Sequence, residues 1–161
     1  MTVKLLGSLA MLGIAAILAV RGVAVFRERL LQLEGFVLLL RSIREQIACF
    51  RTPTREILAA FHNPALERAG FLEAAARDGM AAALEESRER LYLDGEEMAP
   101  LLEFSAGLGG GYADEEVARC ELCLSRLGEA VARRREALPK AAKLYRTLVL
   151  GGALAVIIVL I

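Results

Sequence analysis

Residues 33–50 read Leu33-Glu34-Gly35-Phe36-Val37-Leu38-Leu39-Leu40-Arg41-Ser42-Ile43-Arg44-Glu45-Gln46-Ile47-Ala48-Cys49-Phe50. Leu33, Phe36, Leu40, Ile43, Ile47 and Phe50 recur at steps of three and four, the spacing of one face of an α-helix. Arg41, Arg44 and Glu45 fall off that stripe. The stretch therefore predicts a long amphipathic helix whose apolar face packs against other helices.

Working outward toward the N-terminus, the helical pattern continues through Arg21–Phe26 into Leu5–Val20, which carries no charge. With Val3 and Lys4 this makes an apolar segment of ~27 Å as a helix, against a hydrocarbon core of ~30 Å. Lys4 is able to reach the headgroups. A cleaved signal peptide is the rival reading, but no convincing small-x-small cleavage site precedes Arg21, and the helical pattern runs straight on through it. Leu148–Ile161 is also free of charge and becomes long enough to span if Leu144, Tyr145 and Thr147 join it. A buried core helix is the alternative there, but Ala-Val-Ile-Ile-Val-Leu-Ile has no polar face, which a core helix normally keeps.

Between these ends the pattern is helical throughout. Thr52-Pro53 stops the first helix, with Thr52 expected to cap and Pro53 to open a helix over Pro53–Phe61. Asn63-Pro64 repeats the device for a helix over Pro64–Arg77. Gly79 precedes a helix bearing Met80, Leu84 and Leu91. Asp94-Gly95 is a turn signal, followed by a helix over Glu96–Leu108 with Leu101, Leu102 and Phe104. Gly109-Gly110-Gly111 ends it. Asp114 is the expected cap of the last helix, with Glu115 and Glu116 favourable in its first turn. Val117, Cys120, Leu124, Leu127 and Val131 form its stripe, and Pro139 is expected to kink it or mark a hinge. No two-residue alternation flanked by hairpin signals occurs, so a sheet is not expected.

The fold class predicted is all-α. A membrane helix with its juxtamembrane stretch occupies 1–26, a bundle of about six helices occupies 27–143, and a second membrane helix occupies 144–161. Arg21, Arg27 and Arg29 follow the first apolar segment, and Arg133, Arg134, Arg135, Lys140, Lys143 and Arg146 precede the second. Lys4 alone lies outside them. Basic residues collect on the cytoplasmic side of spans, so the bundle is expected in the cytoplasm and both termini across the membrane.

Composition narrows function by exclusion. The chain has 161 residues, zero formal net charge and no tryptophan, which gives neither a basic footprint nor a stacking platform for nucleic acid. Three cysteines cannot close a disulfide framework. Cys120-x-x-Cys123 places two thiols on one side of a helix, but no strand precedes it as a thioredoxin-type site requires. A zinc site needs two further ligands, for which only Cys49 and His62 stand available. The pair is read as packing cysteines, and His62 as a loop residue. Gly107-x-Gly109-Gly110-Gly111 lacks the lysine of a phosphate-binding loop. Glu85, Glu86 and Glu89 with Arg88 and Arg90 read as a solvated face. Arg133-Arg134-Arg135 suits anionic lipid headgroups. No catalytic, metal or cofactor site is expected.

The full arrangement resembles the stage III sporulation protein AB family. Ile47 followed by Thr52-Pro53 and Glu56-Ile57 looks like that family's Ile…Thr-Pro stretch, and Leu102–Gly109 looks like its Leu-Gly turn. Tyr145-Arg146 and Gly152 look like the approach to its second span. The turn here is longer, Leu108-Gly109-Gly110-Gly111-Tyr112-Ala113-Asp114, and Ala118 stands where the family has glutamine. The resemblance implies a non-enzymatic subunit of the channel complex between mother cell and forespore, in the mother-cell membrane facing the forespore. The family's domain is similar to the F-type platform proteins of type II secretion and type IV pilus machines. The partners implied are a secretion-type ATPase of the same operon, the other membrane proteins of the channel complex, and membrane lipids. The surface expected to meet the ATPase comprises the turns at Thr52-Pro53, Asn63-Pro64 and Gly109–Asp114 with the Glu85–Arg90 helix. The alternatives are a two-span helical sensor and a generic membrane scaffold. The sensor needs its bundle outside, against the direction set by the arginines.

Overall fold

The structure, a computed structural model, describes residues 2–50 and 52–160; side chains at 2–12, 14–20, 50, 141–142, 146, 149–150 and 153–160 lie outside that description. Seven α-helices follow one another among the described residues: α1 Thr2–Phe50, α2 Thr54–Ala60, α3 Pro64–Arg68, α4 Phe71–Asp78, α5 Met80–Glu86, α6 Gly95–Gly107 and α7 Ala113–Leu160. Among them no helix is long and apolar enough to cross a membrane. The stretches that carry the two-span expectation, 5–20 and 148–161, fall largely outside the described side chains.

The chain divides into two compact units, one of residues 1–27 with 134–161 and one of residues 28–133. In the first, Gly22 lies against Tyr145, and a Cβ at 22 would come within 2.9 Å of the Tyr145 ring and hydroxyl. Thr147 Oγ1 donates to the Lys143 carbonyl, 2.9 Å away on the preceding turn. Pro139 lies inside α7 and does not end it.

The second unit is built on α1. Leu33, Phe36, Leu40 and Ile43 are fully buried and Ile47 nearly so, as their spacing predicts; Leu39 is buried too. Phe36 meets Phe71 edge to face, with ring centroids 4.8 Å apart, a favoured aromatic geometry. Reaching that position requires a break in the chain. Gly70 takes φ +73°, a left-handed turn that glycine enters without steric cost. The single helix expected over Pro64–Arg77 is therefore two, α3 and α4. The described residues thus hold seven helices in all, where about six were expected in the bundle.

Asn63 caps α3 as expected, its Oδ1 accepting from the backbone N–H groups of Ala65 and Leu66 at 3.0 and 3.2 Å. Thr52 does not cap α2. Its hydroxyl donates back to Gln46 Oε1 at 3.0 Å on α1, and Pro53 occupies the cap position without a side-chain bond. Asp94 forms a capping box with Glu97 at the start of α6. Asp114 stands in the first turn of α7, which begins one residue earlier at Ala113. Glu116 reaches back from that turn to accept from Gly109 N–H at 2.7 Å. Leu91 is buried, but α5 ends at Glu86, so Leu91 sits in a bend and not on the helix predicted for it.

Gln32 is an unanticipated part of this packing. It is 2% exposed. Its Nε2 donates to the Arg90 carbonyl at 3.2 Å and its Oε1 accepts from Tyr92 N–H at 2.8 Å. One amide thus satisfies both backbone groups of the segment that leads from α5 to α6. Leaving such buried groups unpaired costs about 1–3 kcal/mol each.

Gly35 lets the cap of α3 approach α1. A Cβ at 35 would stand 2.8 Å from Asn63 Oδ1 and 3.1 Å from Leu66 Cγ. The Asn63 oxygen is held by its two capping bonds and cannot swing aside. Gly35→Ala should therefore lower stability by about 1 kcal/mol in urea unfolding, overpacking outweighing alanine's helix preference. Gly128→Ala is the control. It lies mid-helix, where an added Cβ would meet nothing within 4 Å, and should gain up to about 1 kcal/mol. Equal responses at the two sites would remove the steric reading of Gly35.

Candidate functional site

Cys120 and Cys123 project from α7 into the core. The Cys120 thiol donates to the Leu40 carbonyl on α1 at 3.1 Å, and the Cys123 thiol to the Pro100 carbonyl on α6 at 3.4 Å. Both side chains are buried, and removal from water disfavours the thiolate. Burial pushes the Cys120 thiol up to about 11, with Arg44 opposing the shift. Burial pushes Cys123 up to about 12, and neighbouring Cys120 adds to it. A thiol held protonated at neutral pH is a poor nucleophile and a poor metal ligand. The pair joins α7 to two helices. Cys49 is exposed and distant in sequence from both.

His62 is exposed, with Nδ1 3.2 Å from Glu67 Oε1. Among the described residues no group of three or more histidine, cysteine or acidic side chains could hold a metal ion. The glycine-rich turn is the bend from α6 to α7, with Gly109 at φ +84°. The Arg119 guanidinium lies across Gly107 and Gly111. Glu85 and Arg88 pair at 3.6 Å, and Glu86 binds Arg77 at 2.7 Å. Residues 87–90 form a turn, so Glu89 and Arg90 are not part of a charged helix.

Of the four surface segments expected to act together, the structure brings two to one place and sets the Asn63-Pro64 turn apart. The Thr52-Pro53 and Gly109–Ala113 turns face one another across an open hollow of about 700 Å³. Asn63 lies beside Gly35, fifteen residues before the end of α1 (50 minus 35), or about 22 Å along it. The Glu85–Arg90 segment runs between the two places: Glu86 is bound to Arg77 near the α4–α5 corner at 2.7 Å, while the Arg90 carbonyl is farther back, at Gln32. The sequence pattern held no sign of this division, because it depends on which way each short helix runs.

The hollow at the Thr52 turn adjoins a second of about 410 Å³ whose walls come from α2, the α4–α5 corner and the end of α6. Thr54, Arg55 and Gly109 border both. Buried Leu58, Ala75 and Met80 line the smaller one. Arg55 is exposed, and its Nε donates to the Ala76 carbonyl at 3.3 Å. Tyr112 stands 82% exposed on the wall of the larger hollow. The Ser105 hydroxyl, also on the smaller hollow, donates to the Leu102 carbonyl at 2.9 Å.

The architecture defines an all-helical protein whose central unit is framed by two long helices. The family model of stage III sporulation protein AB matches residues 4–161, and the chain belongs to that family. Membership assigns it a role in stage III of sporulation. No curated protein and no solved structure matches it.

The thiol geometry predicts selective chemistry. At pH 8 an alkylating reagent should modify Cys49 in the folded protein and reach Cys120 and Cys123 only after unfolding. Replacing both buried cysteines with alanine should cost on the order of 1–3 kcal/mol. Because their folded pKa values are raised, their stabilising contribution is complete below the ordinary thiol range. It falls as pH climbs from there toward about 11 and about 12. The stability difference between the parent and the double alanine variant should shrink over that window; a pH-independent difference would contradict the shifts.

Proposed function

We propose that this chain is a non-enzymatic platform subunit of the sporulation channel complex between mother cell and forespore. The segments within 1–26 and 144–161 anchor it in the mother-cell membrane, and the unit of residues 28–133 lies in the cytoplasm. There it couples a secretion-type ATPase to the membrane complex. The observation that carries this reading is the charge distribution. Arg21, Arg27 and Arg29 follow one apolar segment and six basic residues between Arg133 and Arg146 precede the other, against Lys4 before the first. Family membership supplies the process. The ATPase comes from the likeness to secretion platforms, which work beside such motors. A scaffold role also agrees with the interior of the central unit, where both thiols are bonded to backbone carbonyls.

Topology is the direct test. A tag after Ile161 should be accessible from outside the membrane, while tags inserted at Gly110 should be protected unless the membrane is opened. A protected C-terminal tag would sink the two-span arrangement. Full-length protein in detergent should co-purify with the ATPase encoded beside it; no association at high micromolar concentration would favour a purely membrane-embedded scaffold.

A further inference from the structure

We propose that the groove running from the α4–α5 corner past Arg55 to Tyr112 is a docking site for an acidic, aliphatic segment of a partner protein. Arg55 holds its carboxylate, and the segment's aliphatic side chain sits over Leu58 and Met80. The inference rests on the platform reading only for which protein brings the segment; the chemistry of the groove stands apart from it.

Three observations meet here. The smaller hollow has a volume of about 410 Å³, within the usual range of sites that enclose a ligand group. Leu58 and Met80 form its floor at 2% and 3% exposure, and half-buried Leu108 with exposed Ala81 adds accessible apolar surface on its wall. The second observation is the contrast between its two arginines. Arg77 is committed, at 2.6 Å to Asp78 and 2.7 Å to Glu86. Arg55 pairs with no carboxylate among the described residues. Its single bond, from Nε to the Ala76 carbonyl, tethers the guanidinium between α2 and α4 and leaves both terminal nitrogens free. That fork matches a carboxylate in two-point contact. The third is the surrounding charge. Asp78 borders the same hollow and Glu116 the next, with Asp114 and Glu115 beside the lining residue Ala113. A multiply charged anion would meet these acids, whereas a single carboxylate can pair with Arg55 alone. A segment with one carboxylate and an aliphatic neighbour satisfies both features. The larger hollow gives it room to continue past Tyr112.

The test uses the protein in nanodiscs of zwitterionic lipid and three fluorescent, end-blocked decapeptides of Gly and Ser that carry one central Glu-Leu, Lys-Leu or Glu-Gly pair, read by anisotropy. The Glu-Leu peptide should bind about tenfold or more tightly than Lys-Leu, as expected when like charge is set against Arg55. It should also bind more tightly than Glu-Gly. Arg55→Glu should invert the charge preference, and Arg55→Gln should abolish it. Arg55 is exposed, so both variants should keep the parent's helical circular dichroism. Ala81→Trp, at the rim of the smaller hollow, should weaken Glu-Leu binding. Equal binding of the Glu-Leu and Lys-Leu peptides, or an uninverted preference in folded Arg55→Glu, overturns the carboxylate site. Equal binding of Glu-Leu and Glu-Gly overturns the aliphatic seat. Co-purification with the ATPase is scored separately. Its absence in the parent defeats the platform reading, and the peptide preferences still decide the groove.

Discussion

The buried face of α1 is the constraint on which the central unit depends. Between Leu33 and Ile47 it presents large apolar side chains to the helices packed around it, each worth roughly 1.5–3 kcal/mol when fully buried. That face could pack in several ways, and three local devices select one. Gly35 admits the capped start of α3 against the helix. Gly70 turns the chain so that Phe71 meets Phe36. Gln32 binds the chain after α5 by both of its polar ends. Each works by removing bulk or by satisfying buried backbone groups, so none of the three registers in a hydrophobicity pattern.

The same physics explains the cysteines. In the interior, a small side chain with a weak donor fills the space where α7 crosses α1 and α6, and each sulfur finds a carbonyl. The desolvation that makes the site well packed also suppresses the thiolate. Packing and reactivity are thus set by one physical cause, and the motif spacing alone could not say which it would favour. Polar chemistry is displaced to the surface, where most ion pairs are exposed and contribute little to stability.

The unit of residues 28–133 has a divided surface. Its short helices bring the Thr52 and Gly109 turns to one place while the Asn63 turn and the 90–92 segment lie elsewhere along α1. The result is two regions of different character. One has an open groove with an uncommitted arginine. The other is knitted by Gln32, by the Asn63 cap and by the Arg68–Glu28 contact at 2.9 Å. Open and knitted surfaces have different uses: the first can admit a partner without first breaking its own bonds.

The sequence by itself determined the all-helical class, the main apolar stripes of α1 and α7, the Asn63 cap and the family. These depend on local chemistry: the 3.6-residue repeat, the hydrogen-bonding reach of a short side chain, the order of motifs. It misplaced the caps at Thr52 and Asp114, because a hydroxyl or carboxylate near a helix start has several partners in reach and tertiary neighbours choose among them. It joined α3 to α4, since a glycine inside an apolar repeat is compatible with both a helix and a left-handed turn. Only the tertiary structure decided that Gln32 would be buried, that Arg55 would stand beside an apolar hollow, and which turns would share a face. Those outcomes require residues far apart in the chain to meet, and the energy of a contact exists only once both partners are in place.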